Sequence, residues 1–176
     1  MKWLRCILFL RRHIKKDDVV IQVGFSLDRL YSDVFPLSWF AKKLIIVEPD
    51  PRSYFKLLKR RRLMKNNWDY VNKIVGYDQY IYLQSKIKHN NVRYGDFCLK
   101  ANRADLDDFS IVNVIILTCN GSEYQCLLSG EHILRNNVKL IIANSTVVIE
   151  ELLRDYGYKW SYENIGRQKL LIADKK

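Results

Sequence analysis

Glycine and proline are scarce in this chain, seven and three of its 176 residues. That scarcity excludes a disordered or linker-rich chain, which is built from those residues and from polar repeats. Cysteine is thinly spread: Cys6, Cys98, Cys119 and Cys126 form no C-x-x-C pair, and His13, His89 and His132 do not gather around them. No metal site is therefore expected, and free thiols in a reducing, cytoplasmic setting are. Apolar runs are short as well. Trp3-Leu4-Arg5-Cys6-Ile7-Leu8-Phe9-Leu10 is broken by Arg5, falls well below the ~20 residues a membrane span needs, and is followed by no small-residue cleavage site of an export signal. A G-x-x-x-x-G-K-[ST] run is missing, which disfavours an NTPase.

Acidic residues are outnumbered, 19 against 30 Lys and Arg, for a net charge of +11. Such an excess favours anionic neighbours: nucleic acid, an acidic membrane surface or an acidic protein. The densest cluster is Lys59-Arg60-Arg61-Arg62, flanked by Lys56 and Lys65, and a smaller one is Arg11-Arg12-His13-Ile14-Lys15-Lys16. Each reads either as a solvated helix face or as a contact for RNA or an acidic partner. Few aromatics sit among these charges, so base stacking is not suggested. The hydrophobic share, 48%, suits an ordinary globular core, and the length suits a single domain over 1–176. Residues 1–16 read as an amphipathic helix packed on that domain, with membrane-surface attachment through this basic segment as a further reading.

Strand and helix patterns alternate beyond it. Strands are expected at 18–23, 44–48, 70–75, 79–83, 97–100, 112–117 and 138–143, with helices at 27–41 (bent near Pro36), 51–64, 123–134 and 146–156. A terminal pair, 158–161 and 170–173, reads as antiparallel. This order predicts an α/β fold: a three-layer Rossmann-like sandwich around a mostly parallel sheet. The 84–96 segment is the roomiest connection.

Two apolar strands carry the chemistry. Val19-Val20-Ile21-Gln22-Val23 ends in Gly24, and Leu44-Ile45-Ile46-Val47 ends in Glu48-Pro49-Asp50-Pro51. A glycine turn and an acid at the carboxyl ends of neighbouring strands outline a nucleotide-type site, in which the acid accepts hydrogen bonds from ribose hydroxyls. For Glu48 the alternative is a helix-capping role, which Asp50, directly before Pro51, fits better. Dinucleotide binding needs G-x-G-x-x-G; here Phe25, Ser26, Leu27 and Asp28 follow the single Gly24, and Asp28 would repel a pyrophosphate. S-adenosylmethionine has no phosphate and tolerates such a turn. Cys119 lies beside this site, but no neighbouring base activates it as a nucleophile.

Six blocks in order resemble the FkbM-type S-adenosylmethionine-dependent methyltransferases. Asp17-Asp18-Val19-Val20-Ile21-Gln22-Val23-Gly24 is similar to the family's G-D-V-V-I-D-V-G, and Val47-Glu48-Pro49-Asp50-Pro51 with Leu57-Leu58 to its E-P-x-P block. Val71–Gly76, Leu106-Asp107-Asp108, Val114–Tyr124 and Leu127–Gly130 follow in the family's order. The final strand pair is similar to the reversed hairpin of class I methyltransferases. The resemblance implies S-adenosylmethionine held by Gln22, Gly24, Phe25, Ser26, Glu48, Pro49, Thr118 and Asn120. The departures fall around the pocket: Gln22, Thr118 and Asn120 stand where the family has carboxylates, Asp28 where it has glycine, while Glu123 is kept. Losing those carboxylates removes the obvious acid–base groups, and no catalytic residue is assigned. Two outcomes stay open: a methyltransferase working by positioning its donor and acceptor, or a binding subunit that has lost catalysis and uses the basic segment 56–65.

Overall fold

The computed structural model describes residues 2–24, 34–59, 64–76, 80–83, 88–89, 92–93, 97–100, 102–119, 121–144, 146–165 and 168–175. In chain order the elements are α1 (Lys2–His13), β1 (Val19–Val23), α2 (Val34–Phe40), β2 (Lys43–Val47), α3 (Pro51–Lys59), β3 (Trp68–Val71), β4 (Ile74–Val75), β5 (Tyr80–Leu83), β6 (Lys88–His89), β7 (Val92–Arg93), β8 (Phe97–Lys100) and β9 (Arg103–Ala104). A 3-10 turn (Leu106–Phe109) leads to β10 (Val114–Leu117), α4 (Glu123–Leu128), α5 (Glu131–Asn136), β11 (Leu140–Asn144), α6 (Val147–Asp155), β12 (Lys159–Ile165) and β13 (Gln168–Asp174).

Seven strands form the main sheet in the order β12-β13-β11-β10-β1-β2-β3. β11, β10, β1, β2 and β3 run parallel, and β13 runs antiparallel between β11 and β12. The expected sheet and its terminal antiparallel pair are both present. β1, β2 and β10 are made largely of Val, Ile and Leu because both of their faces are covered, which is the situation of a parallel sheet in an α/β domain. Alternate residues feed two cores. Val20, Leu44, Ile46, Val114 and Ile116 pack under Cys6, Phe9 and Leu10 of α1, Leu37 of α2 and Leu57 of α3. Ile21, Val23, Ile45, Ile115 and Leu117 pack under Leu106, Leu127, Ile133, Leu134, Ile149 and Leu153 on the other side.

Two sequence expectations are corrected. Residues 70–75 are not one strand: β3 stops at Val71, and β4 pairs instead with β9. The chain turns there because the Asn72 side-chain amide donates to the carbonyls of Glu48 (3.0 Å) and Pro49 (2.9 Å). Residues 123–134 form two helices rather than one. The joint at Ser129-Gly130 is set by Leu106, since a Cβ on Gly130 would lie 2.7 Å from Leu106 Cδ2, and the Ser129 hydroxyl accepts the Leu106 N–H at 3.0 Å. Asp107 then takes the N–H groups of Ile133 (2.9 Å) and His132 (3.2 Å), satisfying the first turn of α5 from outside the helix. Pro36 lies within α2, inside the expected 27–41 helix, whose earlier part (27–33) lies outside the described residues. Within 84–96, β6 and β7 pair as a short antiparallel ladder.

Candidate functional site

The chain runs from β1 outward to β2 and β3, then returns to the far side of β1 as β10. The seam between β1 and β10 is therefore the topological switch point, where open α/β sheets place ligands beyond the carboxyl ends of their strands. Gly24 follows β1 at this seam, Thr118 follows β10, and Glu48 follows β2 one strand away.

Gly24 has φ +82°, a conformation glycine adopts without strain. Its N–H donates to the Val47 carbonyl at 2.8 Å, tying the turn to β2. On the other side it lies against β10 so closely that a Cβ would meet the Thr118 carbonyl oxygen at 2.6 Å. The Thr118 hydroxyl donates to the Gly24 carbonyl at 2.7 Å. A carboxylate at position 118 would face that carbonyl with no proton to offer, so threonine suits a seam closed in this way.

Gln22 points into the α1–α3 side of the sheet, between Ile46 and Ile116 in register. It is fully buried, and neither its Nε2 nor its Oε1 has a hydrogen-bond partner. Buried amides are normally paired, because desolvation without a partner costs about 1–3 kcal/mol for each group. A polar group held at the ligand end of a strand at that cost is the one observation in this site that asks for something outside the described chain.

Glu48 sits on a turn pinned from three sides. Its N–H donates to the Val71 carbonyl (3.1 Å), its own carbonyl accepts from the Tyr70 hydroxyl (2.9 Å) and from Asn72, and its Oε1 accepts the Asp50 N–H at 2.9 Å. The carboxylate is half-buried and its backbone is fixed. Asp50 has the capping role read from the sequence: its Oδ1 takes the Arg52 N–H at 3.0 Å, and the Arg52 guanidinium forms a two-pronged contact with the carboxylate. Burial raises the Asp50 pKa, but the bonds and charge of Arg52 outweigh it, and the net shift is downward.

Beyond β10, Glu123 is buried, with Oε2 accepting the Gly121 N–H (2.7 Å) and Oε1 the Asn144 amide (3.1 Å). It shapes the loop from within. Cys119 and Cys126 have their sulfurs 3.7 Å apart. The Cys126 contact, burial and the nearby Glu123 charge together push the Cys119 thiol well above its ordinary pKa, so it stays protonated at neutral pH and is no thiolate nucleophile. Among the described residues no group of three or more His, Cys, Asp or Glu is arranged to hold a metal ion.

The structure thus brings Gln22, Gly24, Glu48, Pro49 and Thr118 to one end of the sheet. Phe25, Ser26, Asp28 and Asn120 lie outside the described residues, as do Arg60, Arg61 and Arg62. Lys56, Lys59 and Lys65 are exposed on or just after α3, and Lys65 Nζ donates to the Trp39 carbonyl at 3.2 Å. Asn72 and Asn144 were not singled out from sequence, because each acts through partners more than twenty residues away in the chain.

No family model matches the sequence, and no curated protein matches it. The fold has clear counterparts among solved structures. An rRNA methylase from Streptococcus thermophilus matches with a TM-score of 0.56 at 12% identity, over 96% of this chain and 93% of that one. Methyltransferase FkbM from Methylobacillus flagellatus KT matches with a TM-score of 0.63 at 11% identity, over 93% of this chain and 44% of that one. The fold is that of the class I methyltransferases. TrmK of M. capricolum, solved with S-adenosyl-homocysteine, adds a third likeness, with a TM-score of 0.55 at 9% identity over 95% of this chain and 65% of that one.

Proposed function

We propose that this chain is an S-adenosylmethionine-dependent methyltransferase of the FkbM type, working as one domain in the cytoplasm. Glu48 carries the proposal: a half-buried carboxylate at the carboxyl end of β2, next to the switch point, on a turn fixed by Tyr70, Asn72 and its own Oε1. A carboxylate at that position can accept hydrogen bonds from the hydroxyls of a ribose. The orphaned amide of Gln22 supports the fit, since it supplies a donor and an acceptor that the chain leaves unused. The FkbM assignment rests on the six ordered sequence blocks, with the likeness to FkbM itself in support.

Bound there, the cofactor supplies an electrophilic methyl on a sulfonium. Glu48 and Pro49 would hold its ribose end, with Gln22, Gly24 and Thr118 beside it at the same end of the sheet; the sequence resemblance adds Phe25, Ser26 and Asn120 to this set. Cys119 holds its proton, and both oxygens of Glu123 are engaged with Gly121 and Asn144. Rate enhancement then comes from alignment of donor and acceptor, which can supply roughly 7–11 kcal/mol of a barrier. Calorimetric titration with S-adenosylhomocysteine tests this. Saturable heat is expected, with a loss of roughly tenfold or more in affinity on Glu48→Ala. Absence of heat at about millimolar ligand overturns it.

A binding subunit that has lost transfer is the second reading, favoured by Gln22 and Thr118 in place of carboxylates and by the commitment of the Thr118 proton to Gly24. It predicts cofactor binding, or none, with no methyl incorporation into any cell fraction from labelled S-adenosylmethionine.

A further inference from the structure

The two helical layers differ sharply in charge. α1, α2 and α3 all pack on one face of the sheet, and none of them carries an Asp or Glu. α1 has Lys2, Arg5, Arg11 and Arg12, and α3 has Arg52, Lys56 and Lys59. The opposite layer is acidic: the 3-10 turn, α4, α5 and α6 hold seven Asp and Glu against Arg135 and Arg154.

α1 is amphipathic in an unusual sense, because its outer face is apolar as well as basic. Cys6, Phe9 and Leu10 are buried against the sheet. Leu4 and Leu8, one turn apart, point away from it and are 57% and 54% exposed. Arg11 continues their line, and Arg5 and Arg12 run alongside. What sets this face apart is that its exposed leucines lie one turn apart among arginines, so apolar surface and positive charge coincide. A nucleic-acid backbone would pair with the arginines and leave the leucines in water. The headgroup region of a bilayer accepts both, anionic headgroups meeting the arginines while leucine side chains enter the acyl boundary.

We propose that the outer face of α1 docks this protein on an anionic lipid surface. The binding is peripheral: α1 has 12 residues, and no described helix is long and apolar enough to cross a membrane. Leu4, Leu8, Arg5 and Arg11 are not among the residues assigned to the candidate site, so the proposal does not depend on cofactor binding.

Vesicle co-sedimentation of the full chain tests it. Binding to phosphatidylcholine vesicles containing about a third phosphatidylserine should exceed binding to pure phosphatidylcholine by roughly tenfold or more, and should weaken as salt rises. Leu4→Ser with Leu8→Ser should cost roughly tenfold in partitioning, with circular dichroism and melting unchanged. Arg5→Glu with Arg11→Glu, which spares the Arg12–Glu163 ion pair, is the second variant and should abolish the preference for anionic lipid. Equal binding to neutral and anionic vesicles, or full vesicle binding by the leucine variant, overturns the proposal. So does a single-stranded RNA oligomer that displaces vesicles and binds the leucine variant as tightly as the parent, since the face would then belong to nucleic acid.

Discussion

Replacing Gln22 with methionine should stabilise the protein, against the usual direction of core substitutions. Methionine is near in length and volume, so the site between Ile46 and Ile116 keeps its packing. What changes is the loss of two buried polar atoms that have no partners. Each such group costs about 1–3 kcal/mol to desolvate, so removing both should raise stability by about 2 kcal/mol or more even if repacking takes back a part. At about 2–4 °C per kcal/mol for a domain of this size, the melting temperature should rise by about 4–8 °C. Urea unfolding followed by far-ultraviolet circular dichroism reads the change as a higher midpoint at constant slope. The same variant, titrated with S-adenosylhomocysteine, should bind it roughly tenfold more weakly if the amide is a ligand contact, a factor worth about 1.4 kcal/mol. A Gln22→Met protein less stable than its parent would refute the reasoning, because the amide must then be paired in the folded state. Higher stability with undiminished affinity would remove Gln22 from the cofactor site and leave Glu48 standing.

Gly24→Ala should cost more than about 3 kcal/mol, since it adds a left-handed alanine to a Cβ only 2.6 Å from the Thr118 backbone oxygen; a loss under 1 kcal/mol in urea, by the same principle, would mean that the β1–β10 seam yields easily. Tyr158→Phe should cost about 1–2 kcal/mol, because the buried phenol has its single O–H between the carbonyls of Leu134 and Val138, at 2.9 and 2.7 Å. Burial raises the Tyr158 pKa above its unfolded value, so this stabilisation is complete below roughly pH 10 and is lost as pH rises through the folded pKa. An alkaline stability profile should show that loss in the parent and lack it in the phenylalanine variant. Asp107→Ala should release the N–H groups of His132 and Ile133 at a cost of about 1 kcal/mol, and faster hydrogen exchange at Ile133 than at Ile141 would locate the effect in α5. Unmodified Cys119 should resist iodoacetamide at neutral pH in the folded protein, since its thiol is held protonated; rapid labelling would contradict the raised pKa.

What could be read from sequence was whatever one segment encodes about itself. The Val and Ile runs of β1, β2 and β10 announce burial on both faces, and Asp50 before Pro51 announces a helix start. The break between α4 and α5 could not be read, because Ser129 and Gly130 look like ordinary helix interior until Leu106 is placed against them. The end of β3 was missed for the same reason: Asn72 matters through Glu48 and Pro49, more than twenty residues earlier. In the site, the sequence identified Glu48 and Gln22 as the positions to watch. It gave no sign that Gln22 would be left without a partner, nor that the Thr118 proton would be spent on Gly24, since both facts arise from strand register.

The place of β13 has a consequence for how the chain assembles. β12 is synthesised first, yet its ladder is with β13, which lies between it and β11. One margin of the sheet therefore cannot be laid down in the order of translation. Until β13 emerges and inserts, β12 has no rung to join, and Glu163 cannot reach Arg12 and His13 of α1, some 150 residues back. The first helix of the chain is thus finally secured by one of its last strands, and a pause in synthesis before residue 168 should leave both exposed to proteases together.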